Sequence, residues 1–195
     1  MGNNIQAIIE KIKKLEKELA EEIQKKEAEF SYRIHEEKIF FQEEIKKKHR
    51  LLAKTVFRYF SDAALLNIFT APFIWACVVP AGFMDAVVTL YQFLCFPVYG
   101  IPKVKRGQYI IFDRQSLRYL NVIEKINCTY CAYFNGLIAY VQEIAARTEQ
   151  YWCPIRHARR SSSIHSRYKY FLEYGDGDGY RNRIEDIRRN FDDIK

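Results

Sequence analysis

An apolar stretch of 39 residues, Ala63–Ile101, constrains this chain more than any other feature: Asp85 is its only carboxylate, and it contains no Lys, Arg or His. One crossing of the bilayer hydrocarbon takes about 20 residues, so this stretch is long enough for two short crossings. Pro80–Gly82 lies near its middle and has the composition of a turn. The sequence therefore predicts a membrane hairpin with spans at Ala63–Val79 and Phe83–Ile101.

Positive charges flank both ends of the apolar stretch. They are Lys46, Lys47, Lys48, Arg50, Lys54 and Arg58 before it, and Lys103, Lys105 and Arg106 after it. Because Lys and Arg are retained on the cytoplasmic side, a hairpin with both termini in the cytoplasm fits this distribution. Pro72, Pro80 and Pro97 interrupt short spans, so a re-entrant hairpin that enters one leaflet is an alternative. A soluble protein with a buried apolar hairpin is a second alternative.

The segment before the apolar stretch has the composition of a long helix. Neither Pro nor Gly occurs between Asn3 and Ala71. Two sets of apolar residues recur every eleven positions: Ile8, Leu19, Phe30, Phe41 and Leu52, and then Ile12, Ile23, Ile34, Ile45 and Val56. Eleven residues in three turns is a period typical of a nearly straight coiled coil. The pattern predicts one helix from about Ile5 to Tyr59, roughly 80 Å long.

A narrow apolar stripe between charged residues is not buried by a single helix, so it needs a partner. We expect that partner to be a second copy of the chain, which makes the protein a homo-oligomer through residues 5–59. The alternative is that the stripe packs back on the rest of the chain.

Four residues after the apolar stretch have the spacing of a metal site. Cys128 and Cys131 form C-x2-C, and after 21 residues Cys153 and His157 form C-x3-H. This set resembles three-cysteine, one-histidine zinc modules in general. With four protein ligands, such a site is closed and structural, whereas a catalytic zinc keeps one position open. We expect helices at about Arg114–Asn127 and Phe134–Tyr151 to flank the C-x2-C turn. An iron–sulfur cluster, ordinary reduced thiols and a redox-active Cys128–Cys131 pair are the alternatives, and His165 is a substitute ligand for His157.

The carboxyl-terminal third also contains a basic run with interleaved tyrosines: Arg156, Arg159, Arg160, Arg167 and Lys169, with Tyr168 and Tyr170. Such a run attracts nucleic acid or an anionic surface. Next to a membrane segment it meets anionic lipid first, so we expect the lipid bilayer as partner and do not expect nucleic acid.

These features together predict a mainly α protein in three parts. The parts are a long coiled-coil-like helix (1–60), an apolar membrane hairpin (61–102) and a small α-rich, zinc-stapled cytoplasmic domain (103–195). No Ser-His-Asp order, G-x-S-x-G, phosphate-binding glycine loop or H-E-x-x-H occurs, which disfavours an enzyme. The sequence favours a membrane-anchored, self-associating scaffold or assembly protein that docks a protein partner. A membrane-bound metal-dependent or thiol-redox enzyme is the second hypothesis, and an oligomeric channel or pore is the third.

Overall fold

The structure is a computed structural model that describes residues 2–29, 32–35, 38–41, 43–56, 58, 61, 65–159 and 161–194. The chain is mainly helical, as the sequence predicts. Four positions named above, Phe30, Tyr59, Ala63 and Arg160, lie outside the described residues. The chain divides into two compact units, Met1–Ser61 with Asp113–Lys125, and Asp62–Phe112 with Ile126–Lys195.

The first unit contains helix α1, a two-stranded antiparallel sheet and helix α2. Their bounds are Gly2–Glu29 for α1, Tyr32–His35 for β1, Lys38–Phe41 for β2 and Glu43–Leu52 for α2. The register sets Tyr32 opposite Phe41 and Ile34 opposite Ile39, so apolar residues pair across the two strands. A 3-10 turn at Asp113–Ser116 lies beside β2.

The prediction of one continuous helix from Ile5 to Tyr59 is wrong, because the β1–β2 hairpin interrupts it. The two strands have the sequences YRIH and KIFF, which are rich in the β-branched and aromatic residues that favour strands. The absence of Pro and Gly permits a helix through this region but does not require one. Among the repeat residues, Ile34 and Phe41 therefore lie in strands, whereas Ile8 to Ile23 lie in α1 and Ile45 and Leu52 lie in α2, as the spacing predicts.

The described part of the second unit contains four α-helices. They are α3 (Leu65–Ala76), α4 (Val78–Tyr99), α5 (Val122–Trp152), which belongs to this unit from Ile126 on, and α6 (Gly177–Arg189). Helix α5 starts with a reciprocal cap in which the Asn121 side chain accepts from the Glu124 N–H (3.0 Å) and the Glu124 carboxylate accepts from the Asn121 N–H (2.8 Å). The predicted helices Arg114–Asn127 and Phe134–Tyr151 are joined into one unbroken helix from Val122 on, since no residue around Cys128–Cys131 ends a helix, whereas residues 114–121 precede it.

The predicted turn at Pro80–Gly82 is also wrong, because α4 runs through these residues. Pro80 is the third residue of α4, where its missing N–H would have had no partner within the helix. The helices α3 and α4 meet instead at Cys77, whose N–H donates to Ile74 O (3.2 Å).

Helix α4 ends at Gly100, whose φ of 68° lies in the left-handed region. The Gly100 N–H donates to Pro97 O and the Ile101 N–H donates to Phe96 O (2.9 Å), which is the hydrogen-bond pattern of a Schellman motif. Phe96 and Ile101 are both buried in the core. This cap turns the chain back along α4.

The core of the second unit lies between α4, α5 and the returning segment Ile101–Ile110. Contacts between α4 and α5 advance in the same direction along both helices, from Asp85 with Tyr133, through Tyr91 with Thr148, to Tyr99 with Tyr151. The two helices are therefore parallel. The returning segment passes Gly136 of α5 closely enough that its own backbone occupies the space of a side chain there.

The carboxyl-terminal part is held by Arg167, of which 1% is exposed. Its guanidinium donates to both carboxylate oxygens of Asp193 (2.8 and 2.9 Å), to Gln150 Oε1 (2.5 Å) and to Asn190 O (3.0 Å). Burial opposes ionisation of Asp193, but hydrogen bonds from Arg167 and Tyr170 outweigh it and lower its pKa. The buried cation is thus fully paired and ties α5 to the segment after α6.

Replacing Gly136 by Ala tests the close packing of α5 on the returning segment. A Cβ at Gly136 would lie 2.5 Å from Tyr109 O and 2.9 Å from Ile110 Cα, both backbone atoms. We expect G136A to lower the free energy of unfolding by about 2 kcal/mol, measured by urea denaturation followed by circular dichroism. The control is G82A in α4, where no atom lies within 4 Å of the added Cβ. That variant should be unchanged or more stable by up to about 1 kcal/mol, and equal stabilities of the two variants would contradict the described packing.

Candidate functional site

The helical stretch Ile68–Tyr99 is long and apolar enough to cross a membrane, and it is the one such stretch in the described part of the chain. It has 32 residues, and 6% of its most apolar 18-residue segment is buried inside the structure. A core helix of a soluble protein is apolar because it is buried, whereas this stretch is apolar and largely uncovered. In α3, Leu66, Phe69 and Phe73 are each more than 70% exposed.

Helix α4 exposes apolar residues and buries polar ones, which is the reverse of a helix on the surface of a soluble protein. Its exposed residues are all apolar, and they are Val79, Pro80, Phe83, Ala86, Val87, Leu90, Phe93, Leu94, Pro97 and Val98. At 100° per residue they cover an arc of about 140°, which we call the outer face of α4. The polar residues Asp85, Thr89 and Gln92 lie on the opposite side and are partly or fully buried.

Gln92 attaches the returning segment to α4. Its Oε1 accepts from the Val104 N–H (2.9 Å) and its Nε2 donates to Val104 O (3.4 Å), so one side chain satisfies both backbone groups of a buried residue. The same Nε2 also contacts the Tyr140 hydroxyl of α5. These contacts fix Val104 at the level of Gln92.

Asp85 is paired with Arg106 of the returning segment. Arg106 Nη2 donates to Asp85 Oδ2 (2.7 Å) and Nε donates to Oδ1 (3.3 Å), and the Tyr133 hydroxyl also donates to Oδ2 (3.1 Å). The Asp85 side chain is 14% exposed and that of Arg106 is 45% exposed. The hydrogen bond to Asp85 raises the pKa of Arg106. Burial, followed by the same carboxylate, raises the pKa of Tyr133, so its hydroxyl stays protonated and donates.

Sequence reasoning missed this polar contact because Arg106 is distant from Asp85 along the chain. The signal that was available is the spacing of Asp85, Thr89 and Gln92, which are four and three residues apart and so share one helical face. Three polar residues at helical spacing inside an apolar stretch indicate that this face packs against protein.

The returning segment brings cations beside the apolar outer face. Lys103 Nζ lies 4.4 Å from the centre of the Phe93 ring, and Lys103 and Lys105 are both exposed. A groove of about 520 Å³ lies between α4 and Arg106. Its wall is apolar at Ala86, Leu90 and Phe93 and polar at Asp85, Thr89 and Arg106. The outer face of α4 is therefore bordered by a positive edge.

The structure does not bring the four predicted metal ligands together. Cys128 and Cys131 lie near the start of α5, and Cys153 and His157 follow its end. The 22 residues from Cys131 to Cys153 correspond to about 33 Å of helix, whereas thiolates on one zinc ion lie about 4 Å apart. The substitute ligand His165 is paired with Glu149 (3.0 Å). Within the described ranges, no three His, Cys, Asp or Glu side chains gather in a metal-binding group.

Two cations of the basic run in the carboxyl-terminal third are engaged in ion pairs within the protein. Arg167 is buried against Asp193, and Arg156 pairs with Glu173. Arg159 and Lys169 are exposed. Fewer cations are therefore available to a partner here than the sequence indicates.

No family model matches this chain, and neither does any curated protein or solved structure. Its function is therefore argued from the chemistry of its own surfaces.

Replacing Cys131 by Ser tests the separation of the predicted metal ligands. Because Cys131 is exposed on α5 and distant from Cys153, we expect C131S to leave the metal content of the purified protein unchanged. Its unfolding free energy should shift by no more than about 0.5 kcal/mol. Elemental analysis and thermal unfolding measure the two quantities. The control is L137A, a buried position on the same helix that should cost about 2–5 kcal/mol. Loss of zinc together with destabilisation in C131S would contradict this geometry.

Proposed function

We propose that the protein is a non-enzymatic, membrane-associated scaffold whose helices α3 and α4 contact the hydrocarbon of a bilayer. The observation that carries this proposal is the reversed polarity of α4, in which every exposed residue is apolar and every polar residue faces protein. Exposing such a surface to water is unfavourable, since the transfer of each large apolar side chain out of water is favourable by about 1.5–3 kcal/mol of free energy. A lipid leaflet offers the necessary cover.

The geometry favours insertion into one leaflet over a full crossing by α4. Lys103, Lys105 and Arg106 lie beside the middle of α4, because Val104 is tied to Gln92 and Arg106 to Asp85. A crossing would carry exposed lysines and irregular backbone into the hydrocarbon, where unsatisfied backbone and charge are expensive. An α4 lying along the interface keeps them at the polar edge. This arrangement corresponds to the one-leaflet alternative and keeps both termini on the same side.

The pore hypothesis receives no support from the outer face of α4. A helix that lines a water-filled channel presents polar groups to the lumen. The exposed arc of α4 carries none. The metal-dependent enzyme hypothesis depended on the four cysteine and histidine residues acting as one cluster, and α5 separates Cys128 and Cys131 from Cys153 and His157.

Self-association is the second half of the scaffold proposal, and helix α1 supports it. Ile12, Leu15, Leu19 and Ile23 follow one another at spacings of three, four and four residues, and each is about half exposed or more, from 49% to 62%. Residues at these spacings form one stripe along a helix. The stripe lies within the segment 5–59, and burial against the α1 of a second copy is the cover we propose for it.

Membrane contact by α4 is tested with F83E. Phe83 is 73% exposed at the centre of the outer face, so the change does not disturb the core. We expect wild-type protein to float with phospholipid vesicles in a density gradient and F83E to bind at least about tenfold more weakly, since it loses the transfer free energy of one large apolar side chain. The matched control is I164E, which alters an exposed apolar residue (63%) that belongs to neither α3 nor α4 and should bind like wild type. Wild-type protein that does not associate with any vesicle would refute the proposal.

Self-association is tested with the double variant L15D/L19D. Both residues are 62% exposed in α1, so the substitutions remove the stripe without opening a buried core. We expect wild-type protein to show an oligomeric mass by light scattering and the variant to show a mass at most about half as large, because two charges on each copy would face one another. Y174D, an exposed aromatic position (70%) outside α1, is the control and should stay oligomeric. A monomeric wild type at all tested concentrations would remove this half of the proposal.

A further inference from the structure

We propose that Lys103, Lys105 and Arg106 are the contact for anionic phospholipid headgroups, with the groove beside α4 receiving the start of an acyl chain. This inference rests on the proposed membrane contact of α4, and it names the lipid class that the surface selects.

The first support is that the three cations are held in a fixed position at the edge of the outer face. Val104, between them, is bound through both backbone groups to Gln92. Arg106 is oriented by two hydrogen bonds to Asp85, which leave its Nη1 group unused by that carboxylate. The Arg106 side chain is therefore already ordered before a phosphate binds, so binding costs little conformational entropy at this residue.

The second support is the local charge. Asp85 neutralises one of the three cations, so the site keeps an excess of two positive charges. Among the described residues, Lys103 and Lys105 have no ion-pair partner. A patch with this excess is complementary to phosphatidylserine or another lipid with net negative charge, and gains less from a zwitterionic headgroup.

The third support is that charge and apolar surface adjoin. Lys103 lies over the ring of Phe93, and Phe93, Leu90 and Ala86 form the apolar wall of the groove next to Arg106. A phospholipid has the same order of chemistry, with a phosphate joined directly to acyl chains. A soluble anion would use only the cations, whereas a lipid covers both parts of this surface.

The basic run at residues 156–169 is the competing headgroup contact within the chain. Its Arg167 is 1% exposed, and its Arg156 is paired with Glu173. Its exposed cations, Arg159 and Lys169, are not attached to an apolar face of the kind seen on α4. Lys169 lies 4.9 Å from the centre of the Tyr170 ring, so it matches Lys103 in type of environment and makes a suitable control.

The test compares binding of the full chain to two kinds of vesicle, phosphatidylcholine alone and phosphatidylcholine mixed with phosphatidylserine. We expect wild type to prefer the mixed vesicles, and the preference to fall as salt is raised. K103Q/K105Q should bind the mixed vesicles about 30-fold more weakly and phosphatidylcholine nearly as well as wild type. The control R159Q/K169Q removes the same number of charges and should keep the preference. Circular dichroism checks that both variants fold.

The outcomes separate this inference from the proposed function. If wild type binds both kinds of vesicle equally, or if K103Q/K105Q keeps the full preference for mixed vesicles, the headgroup assignment is wrong while membrane contact by α4 stands. A loss of preference in R159Q/K169Q alone would move the contact to the basic run and also refute the assignment. If wild type binds neither kind of vesicle, the proposed membrane function itself fails.

Discussion

The attachment of residues 101–106 to α4 is the constraint on which the second unit depends. Gln92 and Asp85 are polar side chains in an apolar helix, and each would be costly to bury alone. Gln92 satisfies the backbone of Val104, and Asp85 is paired with Arg106. Because these contacts fill one side of α4 and α5 packs beside them, a single arc of the helix is left uncovered. The polar contacts thus determine which apolar residues face outward.

That uncovered arc is the feature that a soluble fold does not explain. Single exposed apolar residues are normal, but contiguous apolar surface indicates a partner. On α4 the exposed residues extend from Val79 to Val98 without a polar side chain, and α3 continues the surface with Leu66, Phe69 and Phe73. At the edge of this surface Lys103 is exposed, and its ammonium group lies over the ring of Phe93.

Composition and periodicity predicted the helical class and the location of the apolar stretch, because these depend on local residue preferences. These predictions failed where the local residues were compatible with more than one secondary structure. Nothing in Tyr32–Phe41 forbids a helix, yet its β-branched and aromatic residues form a hairpin. Pro80 is compatible with a turn, but it is equally compatible with the first turn of a helix, where α4 places it.

The structure gives the metal prediction no support, for a related reason. It required a chain reversal between Cys131 and Cys153, and it took C-x2-C as a turn. The Asn121–Glu124 cap starts α5 earlier, and no Pro or Gly interrupts it before Gly136. A helix of 31 residues then holds the two pairs apart. Ligand spacing along a sequence is informative only when the intervening segment is known to bring the pairs back together.

The distribution of cations shows that the number of Lys and Arg in a run of sequence differs from the number that remain exposed and free to bind a partner. Residues 156–169 hold the larger number of Lys and Arg, but the fold uses Arg156 and Arg167 in ion pairs with its own carboxylates. Residues 103–106 hold fewer, and only Arg106 is paired, with a carboxylate that lies inside the apolar stretch. Asp85 therefore marks the side of α4 on which protein packs. Because Arg106 binds Asp85, the nearby Lys103 and Lys105 lie at the edge of the outer face, which protein leaves uncovered. In an apolar helix, a lone buried carboxylate is thus evidence about orientation, since it marks the side of the helix that packs against protein.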